Sequence, residues 1–414
     1  MTPIIFIPGI EATNLVNANS FGFESVWKAF DSIGTSLQTK IMGPYLEERL
    51  QERPLYDERI QSLIERESIA KLPYEKTIVN LFGKLNTGKN ITCPVYLFGY
   101  DWRLSNVENG RRLDVFVQYL QEKLKPYKPE AFHFITHSMG GLVFGCYLNQ
   151  VADYRHIGKV ILCAPPFLGS PYGLIHMIKG DGGFKSFLNN LFGRDEDIRE
   201  VVRTFPSIYE LLPVYENALT YMEDGRPLSL LEKRYWQPNV YSKIEKLFDA
   251  RLKDLRAFRS GGLADFKNLP LELRQRMVIL AGIRDETLIY LKAAKEDNII
   301  QLNQISKKDL AQQAEDSTLM GGDGTVPAIS ATVYKDYIKT IALKKETFLE
   351  ELGNNIDYHG LFMRDSRVQN ILERYLSTNA SAANVRNGEL APLTGKPANM
   401  WYPVADTVVS LSEF

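Results

Sequence analysis

Short apolar runs recur along the chain and alternate with amphipathic segments. The runs are rich in β-branched and aromatic residues and lie at positions 4–7, 95–98, 132–135, 160–163, 277–280 and 338–343. Helical patterns separate several of them; in residues 111–124, for example, Leu113, Val117, Leu120 and Leu124 share one face. Buried strands that alternate with amphipathic helices predict an α/β fold with a mostly parallel central sheet covered by helices on both sides.

Two long segments interrupt this alternation. Residues 31–90 are charge-rich and predict a helical excursion from the sheet. Residues 171–270 combine many aromatic residues with helical periodicity, which predicts a helical cap inserted over the active site. The core is therefore expected in residues 1–170 and 271–377. Residues 378–414, with many small and turn-forming residues, are expected to form a tail or a surface wrap.

Composition and charge exclude several classes of protein. The 414 residues are 44% hydrophobic, with 49 Lys and Arg against 50 Asp and Glu, so a basic surface for nucleic acid is not expected. The apolar runs are far shorter than the roughly 20 residues of a membrane-spanning helix. The chain enters its first strand without a signal-peptide pattern, which predicts a cytoplasmic protein. Cys93, Cys146 and Cys163 are isolated in apolar surroundings and are expected to be buried, reduced thiols.

The sequence THSMGGL at positions 136–142 is the strongest chemical signal. Ser138 follows a predicted strand and precedes a predicted helix, which is the setting of a nucleophile elbow, although Thr136 replaces the usual first glycine. Gly140 would allow two backbone segments to cross closely. Ser138 is therefore the candidate nucleophile, and a serine in an ordinary turn is the alternative.

A serine hydroxyl needs a base, and the chain has only five histidines. His359, in DYHGL, is the one that follows the last predicted strand, where the order nucleophile, acid, histidine requires a base. Two carboxylates are candidates for the acid. Asp285 comes just after the strand at 277–280, and Asp323 lies in the glycine-rich sequence MGGDGTVP. The flanking glycines favour Asp323, but local reasoning leaves Asp285 open.

The first strand ends at FIPGIEATNL, where a Pro-Gly turn is expected above the nucleophile. The backbone amides of Ile10 and Met139 are the candidate donors of an oxyanion hole. No metal-ligand spacing accompanies these residues, and neither a metal nor an organic cofactor is expected.

With these pieces placed, the chain resembles the lecithin:cholesterol acyltransferase family of α/β-hydrolases. The stretches that carry the resemblance occur in the family's order: FIPGIEATNL, FGYDWR (98–103), THSMGGL, LCAPPFLGS (162–170), FPSIYELLP (205–213), GDGTVP (322–327) and YHGL (358–361). The resemblance implies an α/β-hydrolase fold, a triad of Ser138, Asp323 and His359, and oxyanion donors at Ile10 and Met139. It thus favours Asp323 over Asp285. Ala12 and Thr13 depart from the residues that are common in relatives.

These inferences predict a serine esterase or lipase that cleaves an apolar acyl ester through an acyl-enzyme. An acyltransferase that passes the acyl group from a lipid to an alcohol is the alternative, and an inactive binding module on the same fold is the third hypothesis. The expected partner is an ester or lipid substrate.

Two further patterns have alternative interpretations. Asp101 and Arg103 in FGYDWR could contact an acyl donor, or could form a buried ion pair that holds a loop. The amphipathic segment 241–259 could contact an anionic membrane from the cap, or could pack on the protein body.

Overall fold

The structure is a computed structural model that describes residues 2–13, 15–17, 24–27, 71–86, 93–179, 202–283, 287–296, 299–306, 321–344, 358–377, 382 and 408–410. Most of the excursion expected at 31–90 lies outside these residues, as does Asp285.

The described strands include all six that the apolar runs predict. They are β1 (Ile4–Ile7), β2 (Leu15–Asn17), β3 (Glu24–Trp27), β4 (Val95–Leu97), β5 (Phe132–His137), β6 (Ile157–Cys163), β7 (Leu219–Tyr221), β8 (Met277–Ile283), β9 (Leu288–Glu296), β10 (Ile299–Ser306), β11 (Lys339–Lys344) and β12 (Val408–Ser410). The described α-helices are α1 (Lys71–Leu85), α2 (Asn106–Leu124), α3 (Gly140–Leu148), α4 (Pro171–Lys179), α5 (Pro206–Glu210), α6 (Pro238–Tyr241), α7 (Glu245–Ala257), α8 (Leu271–Arg274), α9 (Ala328–Ala331), α10 (Tyr358–Leu361) and α11 (Ser366–Ser377).

The central sheet has the strand order β12-β11-β8-β6-β5-β1-β4 in the described part of the chain. All neighbouring strands are parallel except β11 and β12, which pair antiparallel. The expected α/β-hydrolase type of sheet is thus confirmed. Residues 408–410 add an edge strand to it, whereas the sequence predicted only a tail or a surface wrap at 378–414.

Alternate side chains of each central strand enter different apolar clusters, as the two-residue period of a strand requires. In β1, Ile5 and Ile7 face the cluster that contains α2 and α3, and Ile4 and Phe6 face the cluster that contains α1 and α11. Helices therefore cover both faces, which explains why these strands are almost wholly apolar. The carboxyl ends of β5, β6 and β8 lie at one edge of the sheet.

The segment expected to form a helical cap contains α4 to α7, but it also contains a strand. β7 pairs with β9, and β9 pairs with β10, in a second, smaller sheet. Cap side chains such as Trp236, Phe248 and Leu252 belong to the same apolar cluster as α2 and α3. The described part of the cap is thus joined to the body by a continuous core.

The amphipathic segment at 241–259 packs on the body. Phe248, Leu252 and Leu255 of α7 are completely buried, and the Phe248 ring lies 5.8 Å from the ring of Tyr209 and 5.2 Å from that of Trp236. Most of the apolar face that could have contacted a membrane is therefore occupied. No helix in the described ranges is long and apolar enough to cross a bilayer.

The interpretation of Asp101 and Arg103 as a buried pair also agrees with the structure. Arg103 donates to Asp101 through Nε at 2.9 Å and through Nη2 at 2.7 Å, and both side chains are buried. Cys146 and Cys163 are buried thiols as expected, whereas Cys93 is half-buried.

The first turn of α3 crosses the end of β1 at van der Waals limits. A Cβ on Gly140 would lie 2.5 Å from the carbonyl oxygen of Ile7 and 2.6 Å from that of Pro8. Both obstacles are backbone atoms, so only glycine fits this crossing without a shift of the chain.

We expect Gly140→Ala to lower the free energy of unfolding by about 1–3 kcal/mol, because the added methyl group overpacks the crossing. Gly83→Ala is the matched control. A Cβ there meets no atom within 4 Å, so the same change in helix α1 should stabilise the protein by about 0.5–1 kcal/mol. Denaturant titrations followed by tryptophan fluorescence would measure both; equal effects of the two substitutions would contradict the crossing argument.

Candidate active site

Ser138 occupies a strained turn between β5 and α3. Its φ of 52° lies in the left-handed region, which is uncommon for a residue with a side chain. The Ser138 amide donates to the Cys163 carbonyl at the end of β6, at 2.8 Å, and the Gly141 amide donates to the Ser138 carbonyl at 2.9 Å. These two hydrogen bonds hold the turn in place. The sheet and the helix on either side therefore impose the unfavourable backbone conformation of Ser138.

His359 lies in α10 and contacts Ser138 directly. Its Nε2 is 2.8 Å from the Ser138 hydroxyl oxygen, and its Nδ1 is 2.5 Å from Oδ2 of Asp323. Because a carboxylate can only accept, Nδ1 carries a proton and donates to Asp323. In the neutral imidazole Nε2 then accepts the hydroxyl proton of Ser138.

The structure therefore brings together three of the predicted site residues. All three are buried, with exposed fractions of 5% for Ser138, 4% for His359 and 1% for Asp323. Water has little access to these bonds, so the charges that arise among them interact strongly.

Backbone amides hold the Asp323 carboxylate in place. Its Oδ1 accepts from the amides of Val326 at 2.7 Å and Thr325 at 3.0 Å, while Oδ2 faces His359. The turn depends on Gly321 and Gly324, whose φ values are 133° and 102°.

A residue of the sheet makes room for this carboxylate. A Cβ on Gly282 of β8 would lie only 2.5 Å from the Cβ of Asp323. Asp285, the other candidate acid, lies outside the described residues.

A buried ion pair anchors the segment that carries His359. The hydroxyl of Tyr358 donates to Oδ2 of Asp365 at 2.6 Å, and Arg367 donates to Oδ1 of the same carboxylate at 2.9 Å. This ion pair was not predicted from the sequence. The pattern Asp-x-Arg could have indicated it, because Asp101 and Arg103 have the same spacing and form the same local hydrogen bonds.

The turn after β1 lies against Ser138. A Cβ on Gly9 would be 3.0 Å from the Cβ of Ser138, and Ile10 follows as a half-buried residue of that turn. Met139 precedes the first residue of α3 and is completely buried. Both predicted amide donors thus belong to segments that adjoin Ser138.

Three ionisable groups around this turn have shifted pKa values. Burial raises the pKa of Glu11 to about 7. Burial, together with the nearby charge of His359, holds the pKa of His137 well below its ordinary value, so His137 is neutral. Burial raises the pKa of the Cys163 thiol, which excludes a thiolate beside Ser138 at neutral pH.

Two sequence stretches that resemble the family join the cap to the core. Gly169 of LCAPPFLGS has a φ of 81°, and a Cβ there would be 2.2 Å from the Leu212 carbonyl oxygen of FPSIYELLP. The Ser170 amide donates to the Leu211 carbonyl at 2.8 Å. Their contribution is to position the cap.

Glu210 at the end of α5 makes the polar part of this joint. Its carboxylate accepts from the Ser105 hydroxyl at 2.5 Å and from the Asn106 amide at 2.7 Å, at the start of α2. Burial raises the pKa of Glu210 to about 7. The hydrogen bonds from Ser105 and Asn106 act in the opposite direction and lower the pKa, but their effect is smaller. Arg259 donates to the Glu210 carbonyl at 2.6 Å.

The family model described as "Lecithin:cholesterol acyltransferase" matches residues 72–253. The resemblance to the lecithin:cholesterol acyltransferase family is confirmed. The family match contains Ser138 and ends before Asp323 and His359.

Two curated relatives come from Arabidopsis thaliana. "Lecithin-cholesterol acyltransferase-like 4" is 26% identical over 238 residues, which cover 51% of this chain and 43% of the relative. "Phospholipase A(1) LCAT3" is 24% identical over 320 residues, which cover 69% of this chain and 66% of the relative. The matched part of this chain thus spans less than half of one relative and about two thirds of the other.

The fold has a counterpart among solved structures. A chain of the Tle4–Tli4 complex superposes with a TM-score of 0.60 at 15% identity, covering 91% of this chain and 97% of that chain. At this identity the likeness concerns the fold alone.

The described residues contain no group of three or more His, Cys, Asp and Glu side chains arranged to hold a metal ion.

We expect Glu210 to make stability depend on pH. Its pKa in the folded protein exceeds the ordinary 4.5, so its stabilising contribution is complete below pH 4.5 and is lost as the pH rises through about 7. Glu210→Gln imitates the protonated form. Relative to this variant, the wild type should lose on the order of a few kcal/mol of unfolding free energy between pH 4.5 and 7.5. Denaturant titrations at the two pH values would measure it.

Glu272→Gln, at an exposed position, is the control and should follow the wild type. If the stability of Glu210→Gln changed with pH as much as that of the wild type, the pH dependence of stability could not be assigned to Glu210.

Proposed function

We propose that this protein is a serine-dependent carboxylic ester hydrolase that acts on an acyl ester of a lipid. The observation that carries the proposal is the continuous hydrogen-bond series from the Ser138 hydroxyl through both nitrogens of His359 to Asp323, at 2.8 and 2.5 Å. In this series each group has the protonation state that nucleophilic catalysis requires. The match to the family model and the similarity to a relative named as a phospholipase A(1) support an ester of a lipid as substrate.

In the proposed acylation step, the Ser138 oxygen attacks the ester carbonyl carbon while its proton passes to Nε2 of His359. The carbonyl oxygen becomes an oxyanion, and the His359 imidazolium is stabilised by Asp323. When the intermediate collapses, the carbon–oxygen bond to the alcohol breaks and the imidazolium gives its proton to the departing oxygen. The acyl group remains on Ser138 as an ester.

In the second step, water gives a proton to His359 and attacks the acyl carbon. The bond to Ser138 then breaks, Ser138 regains a proton from His359, and the free acid leaves. The backbone amides of Ile10 and Met139 are our proposed donors to the oxyanion in both steps. Their support is the contact of the Gly9 turn with Ser138 and the position of Met139 at the start of α3.

Acyl transfer to an alcohol is the second candidate function. The burial of Ser138 and His359 favours it, because a site with little access to water lets another acceptor compete for the acyl-enzyme. The chemistry is the same except that the acceptor oxygen belongs to the alcohol and the product is a new ester.

We expect a fluorophosphonate probe to label the wild type at Ser138 and to leave Ser138→Ala unlabelled. Peptide mass spectrometry would locate the label, and p-nitrophenyl esters of increasing chain length would measure turnover. Hydrolysis should favour the longer acyl chains and should be lost in the variant. Adding a long-chain alcohol separates the two functions, because only a transferase converts part of the acyl group into a new ester.

A folded wild type that takes no label and cleaves no ester would refute the hydrolase and the transferase together. It would also favour the third hypothesis from the sequence, a binding module without catalysis.

For the acid, Asp323→Asn should lower kcat by about 10⁴-fold, because the amide no longer selects the productive imidazole tautomer. Asp285→Asn is the matched control and should change kcat by less than about threefold. Single-turnover kinetics with an activated ester would measure both variants. The opposite order of effects would mean that Asp285 is the acid.

A further inference from the structure

A second series of hydrogen bonds runs behind Ser138 and His359. The Gly9 amide donates to the hydroxyl oxygen of Tyr74 at 3.1 Å, and that hydroxyl is 2.8 Å from Nδ1 of His137. On the other side of the same ring, Nε2 of His137 is 3.1 Å from the carbonyl oxygen of His359. The series therefore joins the turn after β1, helix α1, the elbow and the segment of α10.

The groups at the two ends of this series, the Gly9 amide and the His359 carbonyl, determine where its protons lie. A carbonyl oxygen only accepts, so Nε2 of His137 carries the proton and donates to His359. The neutral ring then has an unprotonated Nδ1, which accepts the Tyr74 hydroxyl proton. The Tyr74 oxygen in turn accepts from the Gly9 amide. Every donor in the series has an acceptor. Only the bond between Tyr74 and His137 could run the other way, and a neutral ring would then turn an unprotonated Nε2 towards the His359 carbonyl oxygen, two acceptors face to face.

These groups are rigidly packed. Tyr74 is 2% exposed and His137 is 3% exposed, so neither side chain exchanges these bonds for water. The Tyr74 ring lies edge-on to Phe6 at 5.0 Å and to His137 at 5.6 Å, and the rings of His137 and His359 are 4.9 Å apart. A charged His137 would repel the His359 imidazolium that forms during the reaction, and burial keeps His137 neutral.

The ends of the series are the two parts of the site that must keep a fixed distance from Ser138. One end is the Gly9 amide, next to the proposed oxyanion donor Ile10. The other is the backbone of His359, the proposed base. We propose that Tyr74 and His137 are positioning residues that fix the oxyanion turn and the base relative to the nucleophile. This inference rests on the proposed serine hydrolase function.

A positioning role for Tyr74 differs from a packing role in a measurable way. Tyr74→Phe keeps the aromatic ring against Phe6 and removes only the hydroxyl, so packing alone predicts little change in rate. The positioning role predicts that the Gly9 amide loses its acceptor and that the turn moves. The oxyanion exists only in the transition state, so the loss should appear in kcat and not in KM.

We expect Tyr74→Phe to lower kcat by about 10- to 100-fold, less than the roughly 10²- to 10³-fold effect of removing an oxyanion donor directly. KM should change less than about threefold. A long-chain trifluoromethyl ketone, which forms an oxyanion on the active serine, should lose affinity by the same factor as kcat. Substrate kinetics and inhibition constants on folded variants would measure the three quantities.

Tyr147→Phe is the matched control. The Tyr147 hydroxyl is also within hydrogen-bond distance of a histidine nitrogen, Nε2 of His156, and Tyr147 is also buried, but no hydrogen bond connects this pair with the Gly9 turn or His359. This variant should keep the wild-type kcat and inhibition constant. A Tyr74→Phe variant with the kinetics of Tyr147→Phe would overturn the proposal.

The tautomer of His137 tests the series in the wild-type protein, whether or not Tyr74→Phe folds. Nitrogen NMR of ¹⁵N-histidine-labelled protein should show His137 neutral, with Nε2 protonated and Nδ1 unprotonated; the signals are assigned by their loss in His137→Gln. A protonated Nδ1 would overturn the proposal. Labelling of Ser138 by the fluorophosphonate is independent of this result, so a failure of the positioning role and a failure of the hydrolase function are distinguishable.

Discussion

The site depends on one close crossing of two backbone segments at the carboxyl edge of the sheet. The first turn of α3 lies against the carbonyl oxygens of Ile7 and Pro8. Residue 140 is therefore a glycine, because a side chain would not fit there. This crossing brings Ser138, in its left-handed conformation, against the turn that follows β1. Ser138 and the turn that carries Ile10 are therefore placed by the same contact, and the parallel pairing of β1 with β5 keeps them in register.

The features that were predictable from the sequence are those with local signals. The six apolar runs identified strands because buried parallel strands are apolar on both faces, and the elbow was evident from a strand, a small turn and a helix. His359 followed from its place in the chain order. Local sequence could not decide between Asp323 and Asp285, because the space that Asp323 occupies is provided by Gly282 of β8, which is distant from it in the sequence.

Other features depend on contacts between distant segments. The hydroxyl of Tyr74 contacts His137, 63 residues away, and nothing in the pattern of α1 marks that residue. The second sheet was missed because β7 has only three residues and pairs with β9, far along the chain. Periodicity in the segment 171–270 predicts helices but contains no information about such pairing. The stretches that carry the resemblance to the family also differ in role, since two of them join the segment 171–270 to the core.

The order in which the sheet is built has a consequence for the protein during its synthesis. β4, β1, β5 and β6 are neighbours in the sheet, and all of them lie before residue 164. β8 and then β11 extend this sheet on one side only, and Asp323 and His359 come with these late additions. The ribosome makes the chain from the N-terminus. A nascent chain therefore contains Ser138 long before it contains Asp323 and His359, and the hydrogen bonds that join these three residues form only after His359 has been made.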